Sequence, residues 1–158
     1  QTSAEIHETP YTPAINLFRA LSEALEIVYE VGYERWIEVH EARAEALYSA
    51  LESLGFSSAV EPEFRSTTVL GLVPPRGIEP GELRRELKER YGIYVAGGLG
   101  SLKGKIIRVG NMGHLSWRDL LALVAAVAEI LSHAGLEVDV SRALEIVGEK
   151  AREIGPVA

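Results

Sequence analysis

The sequence predicts an α+β fold, in which a small, mainly antiparallel sheet is covered by helices and preceded by two long helices. Three observations support this prediction. Apolar residues recur at helical spacing through two long stretches early in the chain. Four short segments rich in β-branched and aliphatic residues follow, and a charged helical stretch separates them into two pairs. Two further helical stretches come after the last strand, which gives the order helix, helix, strand, strand, helix, strand, strand, helix, helix.

Composition narrows the class of protein. The chain has 158 residues, of which 47% are hydrophobic, and a net charge of −7. It contains no cysteine, so neither disulfides nor a zinc ribbon is expected. The acidic balance and scattered basic residues disfavour nucleic acid, and no apolar run reaches the length of a membrane helix. We therefore expect a cytoplasmic protein that binds neither nucleic acid nor a membrane. Only two asparagines, one glutamine and one methionine occur, a bias that suggests a thermophile.

Residues 1–12 are predicted to be irregular, as an N-terminal arm or the truncated edge of a missing domain. Pro10 and Pro13 disfavour regular structure around them. Thr12 then precedes Pro13, an arrangement typical of an N-cap followed by proline at the first helical position. A helix over about residues 13–31 is therefore expected.

The first two predicted helices form one unit of organisation. Gly32 ends the first of them, and a second helix over about residues 33–54 ends at Gly55. Because only one residue joins the two helices, we expect them to form a continuous or bent pair. Residues 13–54 are therefore assigned as helices that connect a larger body to the small domain. Residues 55–158 are assigned to a C-terminal α+β small domain.

The pattern changes to strands after this pair. A short strand is predicted around residues 59–60, and a longer one over residues 66–73, where β-branched side chains concentrate. Residues 74–77, with the sequence PPRG, predict a turn. A charged amphipathic helix over residues 80–91 follows, and Gly92 stops it.

The last two helices carry recognisable caps. Ser116 begins the most apolar helix of the chain, because Asp119 stands at the spacing of a capping box. Such an apolar helix is expected to pack on the sheet. The final helix, over residues 140–154, has either Asp139 or Ser141 as its cap.

The candidate site lies in a glycine-rich loop between two predicted strands, residues 92–95 and 105–109. Glycines without side chains allow a ligand to approach the main chain closely, and they occupy positions 97, 98, 100 and 104. Arg108 stands within the apolar second strand, where a guanidinium is costly unless an anion meets it. Strand alternation places it on the face opposite Ile107 and Val109. We expect the loop and Arg108 to form a site for a small carboxylate.

Other interpretations of these residues remain open. The loop is also consistent with a plain hairpin connection, and Arg108 with an exposed position paired to a surface glutamate. A phosphate loop is excluded, because Leu99 replaces its first glycine and Ile106 its serine or threonine. Lys103 and Lys105 are expected at the surface. The four histidines share no metal-ligand spacing, and no nucleophile–base set is recognisable.

Three stretches of the chain resemble a known family. In order, they are HETPYTPAINLFRALSEAL, RSTTVLGLVPPRGI and YGIYVAGGLGSLKGKIIRVGNMGHLSWRDLLAL. Together they resemble the C-terminal part of class V pyridoxal-phosphate (PLP) aminotransferases, most closely the alanine–glyoxylate and serine–glyoxylate (serine–pyruvate) subgroup. The combination of TPYTPA, GGLG and GKIIRVGNMG is far more specific than any one of these motifs. The resemblance covers nearly the whole chain. It implies the small domain of a PLP-dependent transferase of fold type I.

The resemblance also implies roles for individual residues. Arg108 matches the arginine that binds the α-carboxylate of the substrate. The loop beside that carboxylate matches Gly97, Gly98 and Gly100. A segment that reaches across the dimer to the phosphate of the partner subunit's PLP matches Thr12 and Thr9.

The implied activity is transfer of an amino group from serine or alanine to glyoxylate or pyruvate by a PLP-dependent homodimer. In the family, the Schiff-base lysine and the other cofactor ligands come from an upstream domain that this sequence does not contain. We therefore expect no catalytic residue in this chain and no turnover by the chain alone. The alternatives are a non-enzymatic module that binds small carboxylates and another class V activity such as a lyase.

Overall fold

The computed structural model describes residues 11–156, which form five α-helices and a four-stranded sheet in the predicted order. The helices are α1 (Ile15–Val31), α2 (Tyr33–Ser53), α3 (Pro80–Tyr91), α4 (Trp117–His133) and α5 (Val140–Ile154). The strands are β1 (Ser57–Ser58), β2 (Val69–Val73), β3 (Ala96–Gly97) and β4 (Ile107–Gly110). All three strand pairings are antiparallel, so the predicted α+β class is confirmed.

The chain divides into two compact units between Trp36 and Ile37. In the first unit, α1 is amphipathic and none of its residues is buried. Its N-cap is Ala14, so the predicted cap at Thr12 is wrong. Ala14 has a ψ of 65°, which interrupts the helical path between Pro13 and the first turn. Gly32 ends α1 with a φ of 89°, as predicted.

The second unit is built around the sheet, whose strand order is β1-β2-β4-β3. Leu70 and Leu72 of β2 stand opposite Val109 and Ile107 of β4, and all four are buried. Their shared face joins one hydrophobic core with residues of α2, α3, α4 and α5. The prediction that α4 packs on the sheet is therefore confirmed.

All four strands differ from their predicted positions. β1 lies at Ser57–Ser58 and not around residues 59–60, and β4 lies at Ile107–Gly110 and not over residues 105–109. The amide of Gly98 donates to the carbonyl of Ile106 at 3.2 Å and closes the hairpin, so the ladder pairs residues 96–97 with β4. The segment 92–95 lies beyond this pairing, and the predicted strand there is wrong. The strand predicted from residue 66 begins at Val69, because the Ser66 hydroxyl accepts hydrogen bonds from the amides of residues 68 and 69.

The predicted caps of the last two helices are present. The Ser116 hydroxyl accepts from the Asp119 amide at 3.4 Å, and the Asp119 carboxylate accepts from the Ser116 amide at 2.7 Å. These two bonds complete the capping box of α4. Of the two candidates for α5, Asp139 is the cap, since its carboxylate accepts from the Arg142 amide at 2.9 Å.

Removing the capping carboxylate is expected to have a pH-dependent cost. Hydrogen bonds from the Ser116 amide and hydroxyl hold the pKa of Asp119 below its usual value. A depressed folded-state pKa stabilises the fold above the unfolded pKa, and the contribution is lost as pH falls through the folded one. Asp119→Ala should lower the free energy of unfolding by about 1 kcal/mol at neutral pH. The difference should shrink as pH falls below 3.8, the ordinary value.

Urea unfolding of wild type and variant over a series of pH values measures this difference. Glu89→Ala removes an exposed carboxylate from α3 and serves as the matched control, with a change near zero at every pH. A loss at Asp119 that stays constant from neutral to acid pH would contradict the assigned role of the charge.

Candidate functional site

Arg108 lies on β4, on the face of the sheet opposite the buried Ile107 and Val109. Its neighbours across the strands are Gly71 on β2 and Ala96 on β3. These are the two smallest side chains, and they leave the half-buried arginine without a bulky cover. The predicted alternation is confirmed, because Ile107 and Val109 point to the opposite, buried face.

Two arginines are oriented by carbonyls at the open edge of the sheet. β3 is an edge strand, so alternate carbonyls along it face away from β4. Nε of Arg108 donates to the carbonyl oxygen of Gly97 at 2.7 Å, and Nε of Arg84, from α3, donates to that of Val95 at 3.1 Å. Neither arginine's terminal nitrogens have a hydrogen-bond partner within residues 11–156. Each guanidinium therefore presents its two terminal NH₂ groups without a partner. Together these groups form a fork that can donate two parallel hydrogen bonds to one carboxylate.

Both forks border one cavity of about 450 Å³. Arg84, Lys103 and Arg108 line it, and no acidic side chain in the described part of the chain does. Some other arginines on helices pair with carboxylates, as Arg85 does with Glu82 at 3.0 Å. The three cations of the cavity form no ion pair within the described residues, so the cavity is locally positive in a chain of net charge −7. The arrangement suits an anion, and a guanidinium fork matches a carboxylate in particular.

The glycines beside Arg108 serve two different purposes. A Cβ at Gly97 would lie 2.9 Å from a terminal nitrogen of Arg84, so the missing side chain makes room for that guanidinium. A Cβ at Gly98 would lie 2.0 Å from the carbonyl oxygen of Leu102, so here the loop itself requires glycine. Gly98 therefore fixes the path of the loop and Gly97 the position of the second arginine.

The structure brings together some of the predicted site residues. Gly97, Gly98 and Arg108 line the same cavity. Gly100 does not line it and lies in the 3-10 turn Gly100–Leu102 of the loop. Thr12 is exposed and precedes α1 in the first unit, and Thr9 lies outside the described residues.

Arg84 and Lys103 are the two charged residues lining the cavity that were not predicted from the sequence as site residues. Lys103 was expected at the surface, and it is exposed, but it also lines the cavity. The spacing along the chain is consistent with the position of Arg84 but does not specify how α3 packs beside β3. Arg84 precedes Gly92 by eight residues, a helical rise of ~12 Å, which three to four extended residues beyond Gly92 also cover. Arg84 is therefore level with residues 95–96.

Buried polar residues anchor the end of β4. Asn111 follows the strand and is fully buried, and its Nδ2 donates to the carbonyls of His40 and Thr67, both at 2.8 Å. Arg43 of α2 donates to the carbonyl of Leu115 in the next loop. Burial lowers the pKa of Arg43, and the carboxylate of Asp119 opposes that shift. These bonds hold the strand of Arg108 against α2.

The described part of the chain has neither a metal-binding cluster nor a membrane-spanning helix. Within residues 11–156, no group of three or more histidine, cysteine, aspartate or glutamate side chains could hold a metal ion. No helix in that part of the chain is both long and apolar enough to cross a membrane.

Comparison with known proteins decides the family. No protein-family model matches the chain. An uncharacterized aminotransferase of Methanocaldococcus jannaschii is 41% identical over 134 residues, which is 85% of this chain and 35% of that protein. The serine–glyoxylate aminotransferase of Arabidopsis thaliana is 33% identical over 82% of this chain and 32% of its own length. The chain belongs to the class V aminotransferase family.

Not every relative of this class V aminotransferase chain carries an aminotransferase name. A Synechococcus protein named as the small subunit of a soluble hydrogenase is 36% identical over 82% of this chain and 33% of its own length. The chain thus spans about a third of the length of the curated relatives it matches.

Solved structures place the chain within the class V aminotransferase architecture. The alanine–glyoxylate aminotransferase of Nostoc sp. matches 78% of this chain and 33% of its own, with 34% identity and a TM-score of 0.70. The pyridoxamine–pyruvate aminotransferase of Mesorhizobium loti matches 93% of this chain and 38% of its own, with a TM-score of 0.84. At 24% identity, the second match shows the fold alone. The chain is the C-terminal small domain of a class V aminotransferase.

Proposed function

We propose that this chain is part of a PLP-dependent transaminase that moves an amino group from serine or alanine to glyoxylate or pyruvate. In this reaction the CH–NH₂ group of the donor and the C=O group of the acceptor are exchanged, so both substrates and both products carry a carboxylate. The observation that supports the proposal is the unpaired fork of Arg108 in a cavity that no acidic side chain of residues 11–156 lines.

In this proposal Arg108 binds the α-carboxylate through its terminal nitrogens. Its Nε is held by the Gly97 carbonyl, so the fork is oriented before a substrate arrives. Gly97 and Gly98 line the same cavity and are proposed to lie beside the bound acid. Gly100 belongs to the same loop and is assigned to the same site by family resemblance.

The described residues do not fit the cofactor ring itself. Three of the chain's four lysines are exposed, and Lys150 forms ion pairs with two glutamates at 3.0 and 3.1 Å. No aromatic side chain of the described residues lines the cavity to stack on a ring. In the proposed enzyme, PLP supplies the carbanion chemistry and is held by other parts of a homodimer. Thr12 and Thr9 are proposed to contact the phosphate of the partner subunit's PLP.

A ligand titration on the chain itself tests the carboxylate site. Propionate, which carries the acid group of alanine without its amino group, is added to ¹⁵N-labelled protein. We expect the amide signals of Gly97 and Gly98 and the Nε signal of Arg108 to shift together and to saturate. Shifts that are absent there, or that appear equally over the surface, would count against the site.

The activity is tested on the full-length protein that contains this chain, with PLP and one of three donor–acceptor pairs: serine with glyoxylate, alanine with glyoxylate, or serine with pyruvate. Formation of glycine from glyoxylate, or of alanine from pyruvate, is the expected result. The chain alone, mixed with PLP, is expected to give no Schiff-base absorption band. A stable band would mean that one of its own lysines holds the cofactor, contrary to the proposal. If propionate binds but the full-length protein has no transaminase activity, the carboxylate-binding module is favoured.

A further inference from the structure

We propose that the cavity takes a dicarboxylate, with one acid group on Arg108 and the second on Arg84 and Lys103. The inference rests on the proposed transaminase function and changes one of its two substrates: either the donor or the acceptor is a dicarboxylate in place of the small monoacid named above. That substrate is an amino acid, or its 2-oxo acid, with a second carboxylate in its side chain. The other substrate can still be a small monoacid that uses Arg108 alone.

The first argument is the matching geometry of the two arginines. Arg84 and Arg108 each use Nε on a backbone carbonyl, and these carbonyls belong to Val95 and Gly97, two residues apart at the same open edge. Two residues of extended chain span ~6.6 Å. Both arginines border one cavity, and from the spacing of the two carbonyls we expect a diacid of four or five carbons to fit best.

The second argument is charge. A single carboxylate needs one fork, yet the cavity has two forks and an additional ammonium group on Lys103. None of the three forms an ion pair among the described residues, whereas the adjacent Arg85 pairs with Glu82 at 3.0 Å. The chain as a whole has a net charge of −7 and repels dianions. A preference for a dianion therefore requires a local cluster of cations such as this one.

The third argument is the glycine at position 97. Its missing side chain leaves the space that the Arg84 guanidinium occupies, 2.9 Å from where a Cβ would be. Arg84 is exposed and could extend into solvent, but it bends onto β3 instead. The backbone thus holds the second arginine beside the first.

The test compares diacids with a matched monoacid on the chain. Calorimetric titrations use butyrate, malonate, succinate, glutarate and adipate. Succinate or glutarate should bind at least roughly tenfold more tightly than butyrate, since an additional charge-assisted pair contributes on that scale. Malonate and adipate should gain less, because their acid groups are too close together or too far apart. Wild-type affinities for succinate and glutarate that exceed butyrate by no more than the statistical factor of two would overturn the proposal.

Neighbouring residues of α3 give a matched pair of variants. Arg84→Gln should remove most of the diacid preference, measured as the ratio of diacid to butyrate affinity, because the lost charge weakens both acids but the lost fork weakens only the diacid. Arg85→Gln makes the same change in net charge one residue away and should keep the preference. Lys103→Gln should reduce it by a smaller factor. A diacid preference that survives Arg84→Gln, or is lost equally in Arg85→Gln, would refute the role of Arg84.

The outcomes also separate this proposal from the function on which it rests. If butyrate binds in an Arg108-dependent manner and diacids bind no better, the dicarboxylate proposal fails alone. If no carboxylate binds at the cavity, both fail. A misfolded Arg84 variant would lose butyrate binding too, and Arg84→Lys, which keeps the charge, then provides the second comparison with an intermediate preference expected.

Discussion

Replacing Arg108 with glutamine is expected to weaken carboxylate binding by roughly 10- to 100-fold, because hydrogen bonds to charged groups contribute about 1.5–3 kcal/mol. The substitution removes the fork that borders the cavity and the bond from Nε to the Gly97 carbonyl. Arg108→Lys keeps the positive charge but cannot bind a carboxylate bidentately, so its loss should be nearly as large. The dissociation constant of propionate for the chain is the first measurement.

In the full-length protein, the same variants should raise the KM for every amino-acid substrate. Arg142→Gln is the matched control, because Arg142 is an exposed arginine on α5 that pairs with Glu145 at 2.9 Å and lies outside the cavity. Arg142→Gln makes the same change in net charge, and it should leave both the dissociation constant of propionate and the KM for amino-acid substrates unchanged. An unaltered KM for all amino-acid substrates in Arg108→Lys would refute the carboxylate-binding role.

Adding one methyl group at position 98 is expected to destabilise the domain by about 3 kcal/mol, at the upper end of the usual cost of overpacking. A Cβ at Gly98 would lie 2.0 Å from the backbone oxygen of Leu102 and 3.0 Å from the side chain of Ile106. A backbone atom cannot turn aside as a flexible side chain can, so Gly98→Ala must displace the loop or open the hairpin bond to Ile106. Urea unfolding measures the loss.

Gly148→Ala is the control for a methyl group at a glycine that tolerates one. Gly148 lies inside α5, and its added Cβ would meet only the end of Arg152, at 3.5 Å. This variant should gain about 0.5–1 kcal/mol, since alanine is the better helix former. If Gly98→Ala unfolds at the same urea concentration as the wild type and binds propionate equally well, the loop does not depend on that glycine.

Predictions that rest on neighbouring residues were mostly confirmed. Ser116 and Asp119 form their capping box, and α3 ends at Gly92 with a φ of 67°, because both features depend on interactions within one turn of chain. The Thr12 cap was wrong although its local pattern was correct. The backbone at Ala14 leaves the helical region there, and the cap pattern does not specify that conformation.

Predictions that depend on distant pairing were less accurate. The run from Gly92 to Val95 has strand-like residues, yet β3 forms at Ala96–Gly97. The strand position follows from the closure of the hairpin between Gly98 and Ile106, which selects the residues opposite β4. β-branched composition indicates a tendency to extend but does not choose a partner.

The sequence by itself determined the order of elements, the family resemblance and the face on which Arg108 lies, because alternation and caps are properties of consecutive residues. Only the tertiary structure decided that Arg84 lies beside Arg108. Their meeting depends on the register of β3 and on how far α3 rises along it, and both are set by packing between segments distant in the chain. Position along the chain determines which side chains are present, whereas packing determines which of them share a cavity.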